Sequence, residues 1–169
     1  LSPDGASHEG VGYWAAGTEA LLSYIYGIQT IAPDQSLVES EFLRNTAMYR
    51  LYMSAPGYRE NANYADSNNF EWNGPGTVLR ALASLYKDPR PQWLADEVEQ
   101  ARGIGGKTWL DTPKYSWLDL LWYDDSVGRT SPQDLPNYTY FSNLGLYVYR
   151  TDWTDSAAWL LYKAAPPQG

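Results

Sequence analysis

The chain of 169 residues is long enough to bury one sizeable core. Its 12 Lys and Arg stand against 20 Asp and Glu, and the resulting net charge of −8 repels nucleic acids and anionic membranes, so we expect neither as a partner. The 8 Trp and 15 Tyr, against 3 Phe, favour surfaces that hold sugars, and the absence of Cys excludes disulfides and thiolate metal sites.

The first half of the chain opens with a predicted helical hairpin. Apolar residues recur at helical spacing over residues 11–31, and Pro33 is expected to end this helix. The segment "SLVE" then predicts a capping box, with Ser36 as N-cap and Glu39 three residues later. A second amphipathic helix is predicted directly after it, in "FLRNTAMYRLYM".

Three further helices are predicted after a long polar segment. Residues 54–74 are rich in Asn, Gly, Asp and Ser but contain aromatics, which indicates a functional loop rather than disorder. Pro75 and Pro91 each occupy the first position of a predicted helix, in "PGTVLRALASLYK" and "PQWLADEVEQAR". Thr112 and Pro113 predict the start of a shorter helix, "PKYSWLDLLWY".

The character of the chain changes near its end. In "LGLYVYR", Leu146 and Val148 alternate with Tyr147 and Tyr149, which predicts a half-buried strand, and "AAWLLYK" predicts a second. Two strands alone are marginal in water, so we expect them to need partners from beyond Gly169.

The sequence therefore predicts a mainly α chain in three parts. Residues 1–125 form a helical portion of antiparallel helix pairs, residues 126–142 a linker, and residues 143–169 the start of an antiparallel β domain. We expect the chain to begin and end inside a longer protein.

Several segments, in this order, carry a family resemblance: "DGASHEGVGYW" opening a helix, then helix pairs, "LLWYDD", and "DLPNYTYFSNLGLYVYRTDW". Together they resemble the heparinase II/III-like group of polysaccharide lyases. The resemblance implies part of an (α/α) toroid of antiparallel helix pairs, followed by the first strands of an antiparallel β-sandwich. It also implies a periplasmic or secreted protein whose remaining chain completes the fold.

The resemblance further implies β-elimination at a uronic-acid residue of an acidic polysaccharide, such as a glycosaminoglycan or an alginate-like polymer. This chemistry needs neutralisation of the uronate carboxylate, a base for the C5 proton and an acid for the leaving oxygen. We expect no cofactor within the chain and see no metal-ligand spacing. Relatives often hold a divalent metal in the part of the β-sandwich that would follow this chain.

Two catalytic candidates follow from the resemblance. Tyr13 stands where a family Tyr follows the E-G pair, and a phenol can act as base and then as acid; the alternative is a core Tyr on the buried helix face. His8 is a candidate base or carboxylate neutraliser, or else a solvated turn residue. Many relatives carry a second Tyr one turn later, where this chain has Ala16 before Gly17. If that missing Tyr is the proton donor, the protein is inactive or uses another group.

Five residues are candidates for substrate binding. Trp14 and Trp72 could stack on pyranose faces, and Tyr64 could contact a neighbouring subsite. Arg59 is the nearest cation for a uronate or sulfate group. Glu9 could orient a substrate hydroxyl or a side chain, or could instead complement the positive end of the following helix.

Trp117 and Trp122 lie among leucines at helical spacing and are expected to pack between helices.

A glycoside hydrolase on a similar scaffold is the first alternative function, and a non-catalytic glycan-binding protein is the second. The loop carboxylates that a hydrolase could use are Asp66, Glu71, Asp124 and Asp125.

Overall fold

The computed structural model describes residues 1–33, 35–67, 76–102 and 116–164. In these ranges the chain is mainly helical and carries a small three-stranded antiparallel sheet. The helices are α1 Gly10–Gln29, α2 Gln35–Val38, α3 Glu41–Tyr52, α4 Gly76–Tyr86, α5 Pro89–Arg102 and α6 Ser116–Trp122, and a 3-10 turn spans Pro132–Asp134. The strands are β1 Tyr138–Phe141, β2 Leu146–Arg150 and β3 Trp159–Lys163.

Helix α1 matches its prediction to within two residues at either end. Its buried residues include Trp14, Thr18, Leu22 and Ile25, which recur every three or four positions and so form one face against the core. No helix within the described ranges has the length and apolar character needed to cross a membrane.

The predicted capping box is wrong. Ser36 lies inside the short helix α2, and α3 begins only at Glu41, after Ser40 as its N-cap. The physical reason lies in the two apolar residues of α2, because Leu37 and Val38 pack against the core. The Tyr86 hydroxyl also donates a hydrogen bond of 2.8 Å to the Val38 carbonyl, which holds the end of α2 apart from α3.

Helices α4 and α5 form the predicted hairpin, but α5 begins at Pro89 rather than at Pro91. The Asp88 side chain accepts a hydrogen bond of 3.0 Å from the Arg90 amide, so Asp88 caps the helix two residues earlier than expected. Buried Arg80 of α4 forms ion pairs with α5, at 3.0 Å to Asp96 and 2.8 Å to Glu99. The predicted helix starts at Pro75, Thr112 and Pro113 lie outside the described residues.

The two tryptophans of α6 differ. Trp122 is buried and stacks on Tyr26 at 5.5 Å between ring centroids, which confirms its predicted packing role. Trp117 is 57% exposed, so the same prediction is wrong for it. Helical spacing did not distinguish the two residues, because the side of α6 that meets a neighbour depends on the position of α4.

The strand order is β1-β2-β3, with both pairs antiparallel. Residues of β2 alternate between buried and exposed, as predicted, and β3 lies within the predicted second strand. Strand β1 lies in the segment assigned to a linker, so that part of the prediction is wrong. It forms because it pairs with β2, and Tyr140 stacks on Tyr147 at 4.4 Å between centroids.

One face of the sheet packs on the helices. Phe141, Leu146 and Val148 belong to the same core cluster as the apolar residues of α1 and α3. The Arg150 guanidinium donates a hydrogen bond of 2.8 Å to the Ser54 carbonyl. The opposite face is exposed and carries Tyr138, Tyr140, Tyr147, Tyr149, Leu160 and Tyr162.

Candidate active site

A cavity of about 740 Å³ lies between the loop of residues 1–9 and helix α1. Phe42 of α3 and Asn143 of the turn between β1 and β2 also contribute to its wall, so residues from three parts of the chain meet there. Its residues with polar side chains or aromatic polar tips include His8, Glu9, Tyr13, Trp14, Thr18 and Asn143.

The loop of residues 1–9 lies directly on helix α3. Gly5 has φ +80°, and a Cβ at this position would lie 2.4 Å from the carbonyl carbon of Asn45. The Asn45 side-chain amide donates to the Pro3 carbonyl at 2.8 Å, and the Thr46 hydroxyl donates to the Gly5 carbonyl at 2.8 Å. The glycine therefore allows a backbone approach that a larger residue would prevent.

The start of α1 is held by residues far along the chain. Gly10 has φ +78°, and a Cβ there would lie 2.5 Å from Ser67 Oγ and from the Tyr64 carbonyl oxygen. The Ser67 hydroxyl accepts a hydrogen bond of 3.0 Å from the Gly12 amide. Glu9 occupies the N-cap position, but its exposed side chain makes no capping bond. Its proposed interaction with the helix dipole therefore stays a prediction.

Tyr64 lies outside the set of residues that line the cavity and supports its loop instead. Its hydroxyl donates to the Ser7 carbonyl at 2.5 Å and lies 2.8 Å from the Tyr49 hydroxyl. Burial raises the pKa of Tyr64 to about 12, and burial also raises the pKa of Tyr49 well above its ordinary value. Both phenols therefore stay protonated at neutral pH, which allows Tyr49 to donate to Tyr64 and Tyr64 to donate to Ser7.

Both catalytic candidates line this cavity with exposed side chains. Tyr13 is 55% exposed, so the alternative of a core Tyr on the buried face of the helix is wrong. His8 is exposed in the loop that precedes α1. The chain brings together an imidazole and a phenol, the two side-chain types suited to proton transfer, around a space large enough for sugar units.

Trp14 forms part of the cavity wall but does not fit the predicted stacking role. It is only 2% exposed, so neither of its ring faces is open to a sugar. Its indole N–H donates to the Thr46 hydroxyl at 2.6 Å, and its ring lies 5.5 Å from the guanidinium carbon of Arg50. Trp14 therefore contributes to the structure of the wall.

The remaining sequence candidates lie elsewhere. Arg59 is exposed in the turn between the paired residues Ser54 and Asn61, and it does not line the cavity. Trp72 lies outside the described residues.

Two residues at this site, Asn143 and Asp4, are not among the residues predicted from the sequence. Asn143 lines the cavity from the turn between β1 and β2. The Asp4 carboxylate accepts hydrogen bonds from the main-chain N–H groups of Asn143 and Ala6, each at 3.2 Å. Asp4 belongs to the D-G motif, so its place in that motif could have identified it as a residue of this site. Nothing in the local sequence pointed to Asn143, because its place at the cavity depends on the packing of the sheet.

Among the described residues, no group of three or more His, Cys, Asp or Glu side chains could hold a metal ion. Comparison with models of known protein families and with curated proteins gave no match to this chain.

Proposed function

We propose that this chain is part of a polysaccharide lyase that cleaves a uronic-acid-containing polysaccharide by β-elimination. The cavity would be the described portion of its substrate groove. The observation that carries this proposal is the exposure of Tyr13 and His8 on one cavity, whose volume of about 740 Å³ suits a short stretch of sugar units.

The proposed chemistry uses these two side chains. A base removes the C5 proton of the uronate, the electron pair forms the C4–C5 double bond, and the C4–O4 bond breaks as an acid protonates the leaving oxygen. We assign Tyr13, in its phenolate form, to take the C5 proton and then, as the phenol, to return this proton to the leaving oxygen. His8 would serve as the second proton-transfer group or as the partner of the substrate carboxylate.

The cavity also bears on the substrate class. Its described lining includes no Lys or Arg, and Glu9 adds a negative charge to the wall. A heavily sulfated polymer needs several cations for favourable binding, whereas a uronate with one carboxylate per unit can be met by neutral donors. We therefore propose a substrate with little or no sulfation.

The architecture of the complete protein is part of the same proposal. The helix pairs would belong to an (α/α) toroid, and the three strands would open an antiparallel β-sandwich. The remaining chain would complete the groove and could hold a divalent metal in the sandwich. A periplasmic or secreted location follows from the same resemblance.

Glycoside hydrolysis is less consistent with the described residues. It uses two carboxyl groups across a cleft, and Glu9 is the one carboxylate on the described cavity wall. Asp124 is bound to Lys87 and Ser126, and these hydrogen bonds lower its pKa to about 2, the opposite of what a general acid needs. Asp66 and Asp125 are exposed and do not line the cavity, and Glu71 lies outside the described residues.

The experiment is incubation of the complete protein with hyaluronan, unsulfated chondroitin and alginate, with detection of the unsaturated product by ultraviolet absorbance. We expect product from at least one polymer. Tyr13→Phe should reduce turnover by about 100-fold or more with polymer binding retained, because only the ionisable hydroxyl is removed.

Tyr24→Phe is the matched control, since Tyr24 is an exposed tyrosine of α1 that does not line the cavity. The Tyr24→Phe variant should cleave the polymer at the same rate as the unchanged protein. Reducing ends released without the double bond would favour a hydrolase, and binding with no cleavage would favour a glycan-binding protein, for which Ala16 in place of the second family Tyr is the sequence signal. Either result would overturn the lyase proposal.

A further inference from the structure

The cavity has a second wall that comes from the sheet. The turn between β1 and β2 places Asn143 at the cavity, which is also lined by the loop of residues 1–9, and Asn143 lies 139 positions after Asp4 of that loop. A substrate in this cavity therefore meets side chains from both the helical part and the sheet.

The turn that carries Asn143 is held firmly. The Leu144 amide donates to the Phe141 carbonyl at 3.1 Å, and the Leu144 side chain is fully buried in the core beneath the turn. Gly145 follows with φ +58°, a left-handed conformation that favours glycine. These constraints fix the backbone of Asn143 and leave its side chain exposed.

Asp4 fixes the turn against the loop that bears His8. One carboxylate oxygen of Asp4 accepts a hydrogen bond of 3.2 Å from the main-chain N–H of Asn143, and the other accepts one of 3.2 Å from the main-chain N–H of Ala6. The same carboxylate thus sets the distance between the two walls. Pre-organisation of this kind lowers the entropy cost of binding a ligand between them.

We propose, on the basis of the proposed function, that Asn143 contacts the polysaccharide directly and forms a binding subsite on the sheet side of the cavity. Its carboxamide offers donors and an acceptor without charge, which suits the hydroxyl groups of a sugar unit. Asp4 acts as a positioning residue for this contact, because it holds the turn without lining the cavity itself.

The test is calorimetric binding of hyaluronan and alginate hexasaccharides to the protein in a Tyr13→Phe background, which prevents cleavage. Asn143→Ala should weaken binding about threefold to tenfold, the loss expected for one or two hydrogen bonds to a neutral group. Asn143→Asp should weaken binding further, because it adds a second carboxylate to a cavity that already has Glu9. Ser142→Ala, an exposed neighbour in the same turn that does not line the cavity, is the matched control and should bind normally.

Asp4→Ala should weaken binding when Asn143 is present and add little when Asn143 is already Ala, since the two residues act as a unit. Circular dichroism confirms that each variant folds. If the Tyr13→Phe protein binds the oligosaccharides and Asn143→Ala binds them equally well, the Asn143 subsite is wrong and the proposed function stands. If the Tyr13→Phe protein binds neither oligosaccharide, both proposals fail.

Discussion

The Ser67 hydroxyl accepts a hydrogen bond of 3.0 Å from the amide of Gly12, 55 residues earlier in the chain. This bond satisfies one of the free amides in the first turn of α1, a task that the N-cap residue usually performs. Glu9 makes no such bond, so the start of the helix that presents Tyr13 depends on a distant loop.

Ser67→Ala should lower the free energy of unfolding by about 1 kcal/mol, the usual cost of losing a helix cap. Urea unfolding followed by circular dichroism measures this change. Ser23→Ala is the control, because Ser23 is an exposed serine within α1, and its replacement should change stability by less than about 0.5 kcal/mol. Equal effects of the two substitutions would show that Ser67 does not cap α1.

Gly10→Ala and Gly27→Ala should have opposite effects. At Gly10 the new methyl group would lie 2.5 Å from two oxygen atoms in a backbone with φ +78°, so we expect destabilisation by more than about 1 kcal/mol. At Gly27 a Cβ meets nothing within 4 Å, and alanine should stabilise α1 by about 0.5–1 kcal/mol. Thermal unfolding of both variants tests this, and a tolerated alanine at Gly10 would contradict the described loop contact.

Tyr64→Phe should remove the hydrogen bond to Ser7 and cost about 1 kcal/mol of stability at neutral pH. The pKa of Tyr64 is raised from 10.0 to about 12, so the unfolded chain loses this proton first as pH rises. The contribution is therefore complete below pH 10 and disappears as pH rises toward 12. Stability measured against pH should fall less steeply in this range for the Phe variant, and identical slopes would argue against the buried phenol.

Asp124→Asn should change stability on the acid side. Hydrogen bonds from Lys87 and Ser126 lower the pKa of Asp124 from 3.8 to about 2, so its contribution is present at neutral pH and is lost as pH falls through this range. The variant should be less stable than the unchanged protein at neutral pH and equal to it below pH 2. Lys87→Met should reduce the same acid dependence, because the Lys87 hydrogen bond is the largest cause of the shift. A constant difference at all pH values would contradict this assignment.

Features encoded in local patterns could be predicted from the sequence. The alternation of Leu146 and Val148 with two tyrosines identified β2, and the spacing of apolar residues identified α1. His8 and Tyr13 were singled out by a motif, and the structure places both on one cavity. Their catalytic roles remain predictions.

Features that depend on distant partners could not be predicted. Strand β1 is only four residues long and is recognisable through its pairing with β2 rather than through its own sequence. The hydrogen bond between Tyr64 and Ser7 joins residues 57 positions apart, and the bond between Asp4 and Asn143 spans 139 positions. Local spacing carries no information about such contacts, which arise only when the helices and the sheet pack together.

The position of Leu1 matters for the design of these experiments. Leu1 is 88% exposed and lines the cavity, so any residues attached to its amino group would emerge at the rim of the proposed substrate groove. Any residues that precede Leu1 in the complete protein would therefore lie beside the space meant for a sugar, and an affinity tag inserted at this point would compete with the sugar. The tag used to purify protein for kinetic and binding measurements should therefore be placed away from this position.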